Sequence, residues 1–256
     1  MFRGLAIAAV MAVLAVGSFF PQQGARAGDD AYAFLILDGQ KVKWGAPRLG
    51  TPAHVRFAFL RTAVERPGSI NCRSMRPFPP RLGPNGLTNA TIAAEFRGAF
   101  ATWQSLAGIR FEEVADAADA DIILGVQAVP AGIAYADIVP RKRPGADMSE
   151  IRKAAVCFNP DFGWKSRFDG NLTIYDVRYV ALHEIGHAIG LDHVWGEPGR
   201  IMAIKYQERF RQPQPGDVAG ARALYGGPTT EPAPAPKPVP KLGLRTASTV
   251  AGPATR

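Results

Sequence analysis

Three of the chain's four histidines fall inside one eleven-residue window, His183-Glu184-Ile185-Gly186-His187-Ala188-Ile189-Gly190-Leu191-Asp192-His193. That window constrains the fold more than any other stretch. Histidines four apart on a helix lie one turn apart on the same face, so both imidazoles can reach a single ion. A third histidine six residues further on cannot share that face, so the chain must turn sharply between them. Gly190 is placed to make the turn, because glycine takes left-handed backbone at little cost. Zinc suits such a nitrogen set, and a catalytic zinc keeps one position for water. Glu184 follows the first histidine and projects beside the ion, where a carboxylate can serve as general base. Incidental histidines on a helix are the alternative, and the spacing with an added glycine and third histidine speaks against it.

Hydrophobic residues make up 47% of the 256 positions and charged ones 20%. This is the balance of a globular chain, not a disordered one. The N-terminus has its own pattern: a basic start at Arg3, an apolar run from Leu5 to Phe20, then Ala25-Arg26-Ala27. It reads as a signal peptide over 1–27, cleaved after Ala27, which sends the protein to the periplasm or the medium. The run is short for a bilayer span, so no stable membrane insertion is expected after cleavage. The formal charge is +8, and part of the excess sits in the tail at Lys237, Lys241, Arg245 and Arg256. No dense basic run with interleaved aromatics is present, so a nucleic-acid partner is not expected. From 227 to 256 prolines alternate with small residues, as in an extended, disordered tail. Cys72 and Cys157, the only cysteines, read first as a disulfide in an exported protein.

Between 28 and 226 the pattern is α+β. Val55, Phe57 and Phe59 alternate as a strand, and a polar, Pro-rich loop follows from Glu65 to Gly86. Ile92, Phe96, Phe100, Trp103 and Leu106 form one helix face, with Thr88 or Asn89 as cap and Gly108 as stop. Segments 111–114, 121–127, 132–139 and 154–158 read as strands. Asp176 can cap the histidine helix, and Pro215 can open a last helix ending at Gly226.

The window matches the metzincin signature, His-Glu-x-x-His-x-x-Gly-x-x-His, and Ile201-Met202-Ala203-Ile204-Lys205-Tyr206 resembles the downstream Met-turn. Among metzincins the chain is most similar to the matrixins, through Phe100-Ala101-Thr102-Trp103, Phe111-Glu112-Glu113-Val114 and Asp217-Val218-Ala219-Gly220 besides the zinc motif. The resemblance implies a twisted mixed sheet, mostly parallel, packed on two long helices with a third C-terminal helix. It implies one catalytic zinc on His183, His187 and His193, with Met202 beneath it. It implies zinc-dependent endopeptidase activity on protein or peptide substrates by a monomer. Ile133 and Ala134 resemble the edge strand that aligns substrate, and Tyr206 the wall of the pocket after the scissile bond.

Five departures accompany the resemblance. Tyr135 and Cys157 stand where matrixins carry histidines for a structural zinc, so that second zinc is not expected. Asn159 replaces a calcium-ligand aspartate, which leaves Ca2+ open. Ile204 replaces the Met-turn proline, and Val194 a serine. Together they resemble a bacterial-type relative. Cys72 could also cap the zinc as a thiolate, in the manner of matrixin latency, as the alternative to the disulfide. The rival functions are a catalytically silent zinc-containing binding module and an adhesin acting through its Pro-rich tail.

Overall fold

A computed structural model describes residues 31–141, 143–196 and 199–229. The signal-like segment 1–27 and the tail beyond 229 lie outside the described residues.

The sheet is built from short, β-branched and aromatic runs: β1 (Gln40–Lys43), β2 (Ala53–Phe59), β3 (Ile109–Glu113), β4 (Ile122–Gln127), β5 (Ala134–Pro140) and β6 (Met148–Phe158). The order across it is β3-β2-β4-β6-β5. β2 pairs in parallel with β3 and β4, and β4 in parallel with β6. β5 closes the edge antiparallel to β6, from Ala134 opposite Phe158 onward. β1 runs parallel to the start of β6. Strands so buried on both faces need not alternate: Ile122 to Gln127 is almost entirely inaccessible.

Three helices complete the domain. Helix α1 (Asn89–Leu106) buries Ile92, Phe96, Phe100 and Trp103, the face expected from the spacing. Thr88 is its cap, accepting from the Thr91 N–H at 3.3 Å. It ends one residue earlier than expected: Ala107, with an extended backbone, is the C-cap, and Gly108 instead starts the approach to β3. Phe100 stacks on Phe57 of β2, ring centroids 4.0 Å apart, which seats α1 on the sheet. Helix α2 (Val177–Ala188) crosses it, and the Trp103 indole N–H donates to the Leu182 carbonyl at 3.0 Å. Helix α3 (Pro215–Tyr225) docks through Tyr225, whose hydroxyl donates to the Ile189 carbonyl and accepts from the Trp44 N–H. No helix among the described residues is long and apolar enough to cross a membrane.

The segment expected to be a structureless loop over 65–86 is partly strand. Val64–Glu65 and Ser74–Arg76 pair as a hairpin, and its second arm continues onto the end of β4. Cys72, in that hairpin, is joined to Cys157 of β6 by a disulfide. Both sulfurs are inaccessible, so the thiolate-cap alternative for Cys72 is set aside. The hairpin was hidden in the sequence because prolines and charges flank strands of only two and three residues, too short to show alternation.

Candidate metal centre and cleft

Asp176 starts the helix that carries the site. Its carboxylate accepts from the Tyr179 N–H at 2.8 Å and from the Arg211 guanidinium at 2.9 Å on each oxygen, and it is wholly inaccessible. Cap and ion pair together hold the first turn of α2. Asp176→Ala is expected to cost about 2 kcal/mol in urea unfolding, since it removes a cap and leaves a half-buried guanidinium with fewer acceptors. Asp176→Asn, which keeps the cap, should cost less; equal losses would show that the cap contributes nothing.

His183 and His187 project from α2 one turn apart. The helix then stops: Ile189 is its C-cap, and Gly190 takes φ 101° while its N–H donates to the His187 carbonyl. A side chain there would be excluded twice, by the backbone angle and because a Cβ would lie 2.1 Å from the Val42 carbonyl oxygen. The turn delivers Leu191 and Asp192 into antiparallel pairing with Ala33–Phe34, and the Leu35 N–H donates to the Gly190 carbonyl. An N-terminal strap thus fixes the segment leading to His193. The sequence carries no signal for it beyond a short aromatic run.

The three Nε2 atoms converge. His183 and His193 are 3.1 Å apart, and His187 lies 3.2 Å from each. Nδ1 of His183 faces the Ile201 carbonyl at 2.7 Å, and Nδ1 of His187 faces the Leu191 carbonyl at 2.9 Å. A carbonyl only accepts, so each Nδ1 carries the proton and each Nε2 presents a lone pair. Burial, and the neighbouring ring, push His183 well below the usual imidazole range; burial likewise lowers His187 to about 4. Neutral rings aiming lone pairs at one point are the donor set of a zinc site, with the two carbonyls as the partners that orient its ligands. Among the described residues no other group of three or more potential ligand side chains of this kind converges.

The turn at Ile201–Met202 meets the site through the Ile201 carbonyl that faces His183. Asp217 of α3 accepts from the Ile201, Met202 and Gln214 N–H groups at 2.8–3.1 Å and is 1% exposed. Met202 is buried, and a Cβ on Gly186 would lie 2.3 Å from its sulfur. Gly186, an unspecified position of the histidine window, thus packs directly against the Met202 side chain.

Glu184 is 6% exposed, and burial raises its carboxyl to about 8, opposed by the Ala136 backbone N–H. A dication among the histidines would pull it back down. The cleft in front of it has a volume of about 410 Å3, within the range of ligand sites. Residues of helix α2, of β5 and Ala203, Ile204 and Tyr206 line it. Tyr206 packs edge-on against Tyr175 and Tyr179, each 5.1 Å away between centroids. Its hydroxyl donates to Glu208 at 2.7 Å and accepts from the Asp176 N–H at 3.0 Å. The sequence pointed to Tyr206 but not to Tyr175 or Tyr179, which join it only through the fold.

Among the described residues β5 pairs only with β6, and on its outer edge the Ala136 N–H faces the Glu184 carboxylate. The Asn159 N–H donates to the Ile133 carbonyl, so in this register residues 133, 135 and 137 turn their backbone groups toward β6. Ala134, Ala136 and Ile138 turn theirs toward the cleft. Ile133 lines the cleft, and its carbonyl is engaged in the sheet. Tyr135 sits opposite Cys157. The Asn159 side chain donates to the Gly132 carbonyl and accepts from the Asp161 N–H, so both its polar atoms are engaged.

The family model described as Matrixin matches residues 81–226, more than half of the chain. Matrix metalloproteinase-19 of Homo sapiens is 34% identical over 148 residues, covering 56% of this chain and 28% of that protein. Matrix metalloproteinase-16 of Rattus norvegicus is 31% identical over 160 residues, covering 57% of this chain and 25% of that protein. The match thus spans about a quarter of the length of these curated relatives.

Proposed function

This chain belongs to the matrixin family, and from that premise we propose that it is an exported, zinc-dependent endopeptidase that cuts extended segments of proteins. The observation that carries the reading is the convergence of three neutral ring nitrogens beside a buried carboxylate, at the outer edge of β5.

His183, His187 and His193 would hold the zinc. When bound, zinc supplies the positive charge that activates a water and polarises the scissile carbonyl. The substrate adds as a strand to β5, through the backbone groups of Ala134 and Ile138 and the carbonyl of Ala136. One side chain enters the pocket walled by Tyr175, Tyr179 and Tyr206. Glu184 takes the proton released as water attacks the carbonyl carbon, then delivers it to the nitrogen as the C–N bond breaks. Burial of Glu184 shields this transfer from bulk solvent and brings the carboxyl toward neutral pH, where proton donation and acceptance are balanced. Export rests on the 1–27 pattern alone.

The test is degradation of unfolded casein by the zinc-loaded protein, before and after removal of the metal with 1,10-phenanthroline. Cutting that stops on chelation and returns with stoichiometric zinc is expected. Casein left intact by protein that carries one zinc per chain would move the silent binding module ahead.

A further inference from the structure

The hairpin over 64–76 has no part in the metal centre, yet it is tied to the substrate edge in three ways. Its second arm extends β4 through Arg76 and Met75, opposite Val126 and Gln127. Its Cys72 is bonded to Cys157, the residue opposite Tyr135 of β5. Its Arg66 pairs with Asp137 of β5 at 3.4 Å, with the carboxylate side chain 8% exposed. The first tie is a strand pairing within the sheet, and the other two lie on the sheet face away from the helices. Tyr135 packs against the small cluster of Leu60, Cys72, Met75, Ala155 and Cys157, whereas Ala134, Ala136 and Ile138 pack against the main core.

This alternation divides β5 into two faces, and the tip of the hairpin reaches round the edge. Ile70 and Asn71, directly before the bonded cysteine, line the same cleft as Glu184 and the histidines. Ile70 is 77% exposed. A rim carrying an unburied aliphatic side chain, held in place by a disulfide and an ion pair, is a preorganised contact awaiting an apolar partner.

We infer that Ile70 is a specificity-determining residue: it selects an apolar substrate side chain that faces the hairpin, on the opposite face of the bound strand from the tyrosine-walled pocket. The inference rests on the endopeptidase reading of the cleft. Its register follows from strand geometry. A peptide added to β5 projects successive side chains to opposite faces, with a period of two. The side chain in the tyrosine pocket lies on the helix face. Those reaching Ile70 are therefore an odd number of residues away from it, and those at even offsets never meet the hairpin.

The test uses the full zinc-loaded chain and a peptide library randomised around the cleavage site, with cut sites mapped by mass spectrometry. Ile70→Asp is expected to raise KM about fivefold to tenfold for peptides apolar at one odd-offset position, the effect of losing a partly buried aliphatic contact. The kcat should stay within about twofold and the zinc content should not change; Ile70→Leu should restore the preference. Being exposed, Ile70 can be changed without disturbing the core. Selectivity that is unaltered, or altered only at even offsets, overturns the inference while leaving the peptidase reading intact. Retention of the same library on Glu184→Gln protein separates the two readings. If wild type cuts nothing but retention depends on Ile70, the peptidase reading fails alone. Retention indifferent to Ile70 sinks this inference.

Discussion

Glu184→Gln is expected to lower kcat for casein or peptide cleavage by about 10²–10⁴-fold, the range a positioned general acid–base supplies. Zinc content and KM should remain close to wild type. Glutamine has the volume and shape of the glutamate, so the buried position beside Ala136 stays filled and no charge is left unpaired. What it lacks is an oxygen able to take a proton. The measurement is steady-state cleavage with metal content determined on the same sample. Residual activity within tenfold of wild type would assign the base elsewhere. Loss of zinc together with activity would show that Glu184 shapes the metal site instead of moving protons.

Removing the disulfide has the largest expected effect on stability. The Cys72–Cys157 bond closes a loop across a sequence separation of 85. Loop entropy of that size corresponds to about 4.5 kcal/mol. Cys72→Ala combined with Cys157→Ala should therefore lower Tm by roughly 10 °C for a domain of this size. Both changes are needed, because a single one leaves a buried thiol without its partner. The cluster around the bond lies on the face of the sheet away from α1 and α2, so zinc affinity should change little. A drop below about 1 kcal/mol would show that the hairpin holds by its strand pairs and the Arg66–Asp137 contact alone. A large loss of zinc would show that the hairpin face and the metal face are coupled through β5 and β6.

Much of this molecule was legible in the chain because the deciding physics is local. The 3.6-residue period over Ile92, Phe96, Phe100 and Trp103 marked α1 to within a residue at its end, and Asp176, Gly190 and Pro215 marked the ends of α2 and α3. The spacing of His183, Glu184 and His187 needs only a helix to become a site, and Gly190 announced the turn that brings His193 to them. The α+β class followed from the sequence of such patterns.

Other features depend on contacts between residues far apart, which leave no period to read. Tyr175 and Tyr179 become a pocket wall only when the chain returns with Tyr206. The Nε2 lone pairs of His183 and His187 are fixed by carbonyls of Ile201 and Leu191, and these carbonyls are positioned by Asp217 and by the strap at Ala33–Phe34. Gly186 looked like a free position until Met202 met it. The hairpin over 64–76 reads as a loop because its two short arms gain their order from β4 and Cys157, not from their own residues. The sequence by itself determined which atoms can bind zinc and on which helices they ride, since turn geometry and capping act over a few residues. Only the tertiary structure decided their tautomers, the walls of the cleft and the outer edge of β5, because those are set by long-range hydrogen bonds and burial.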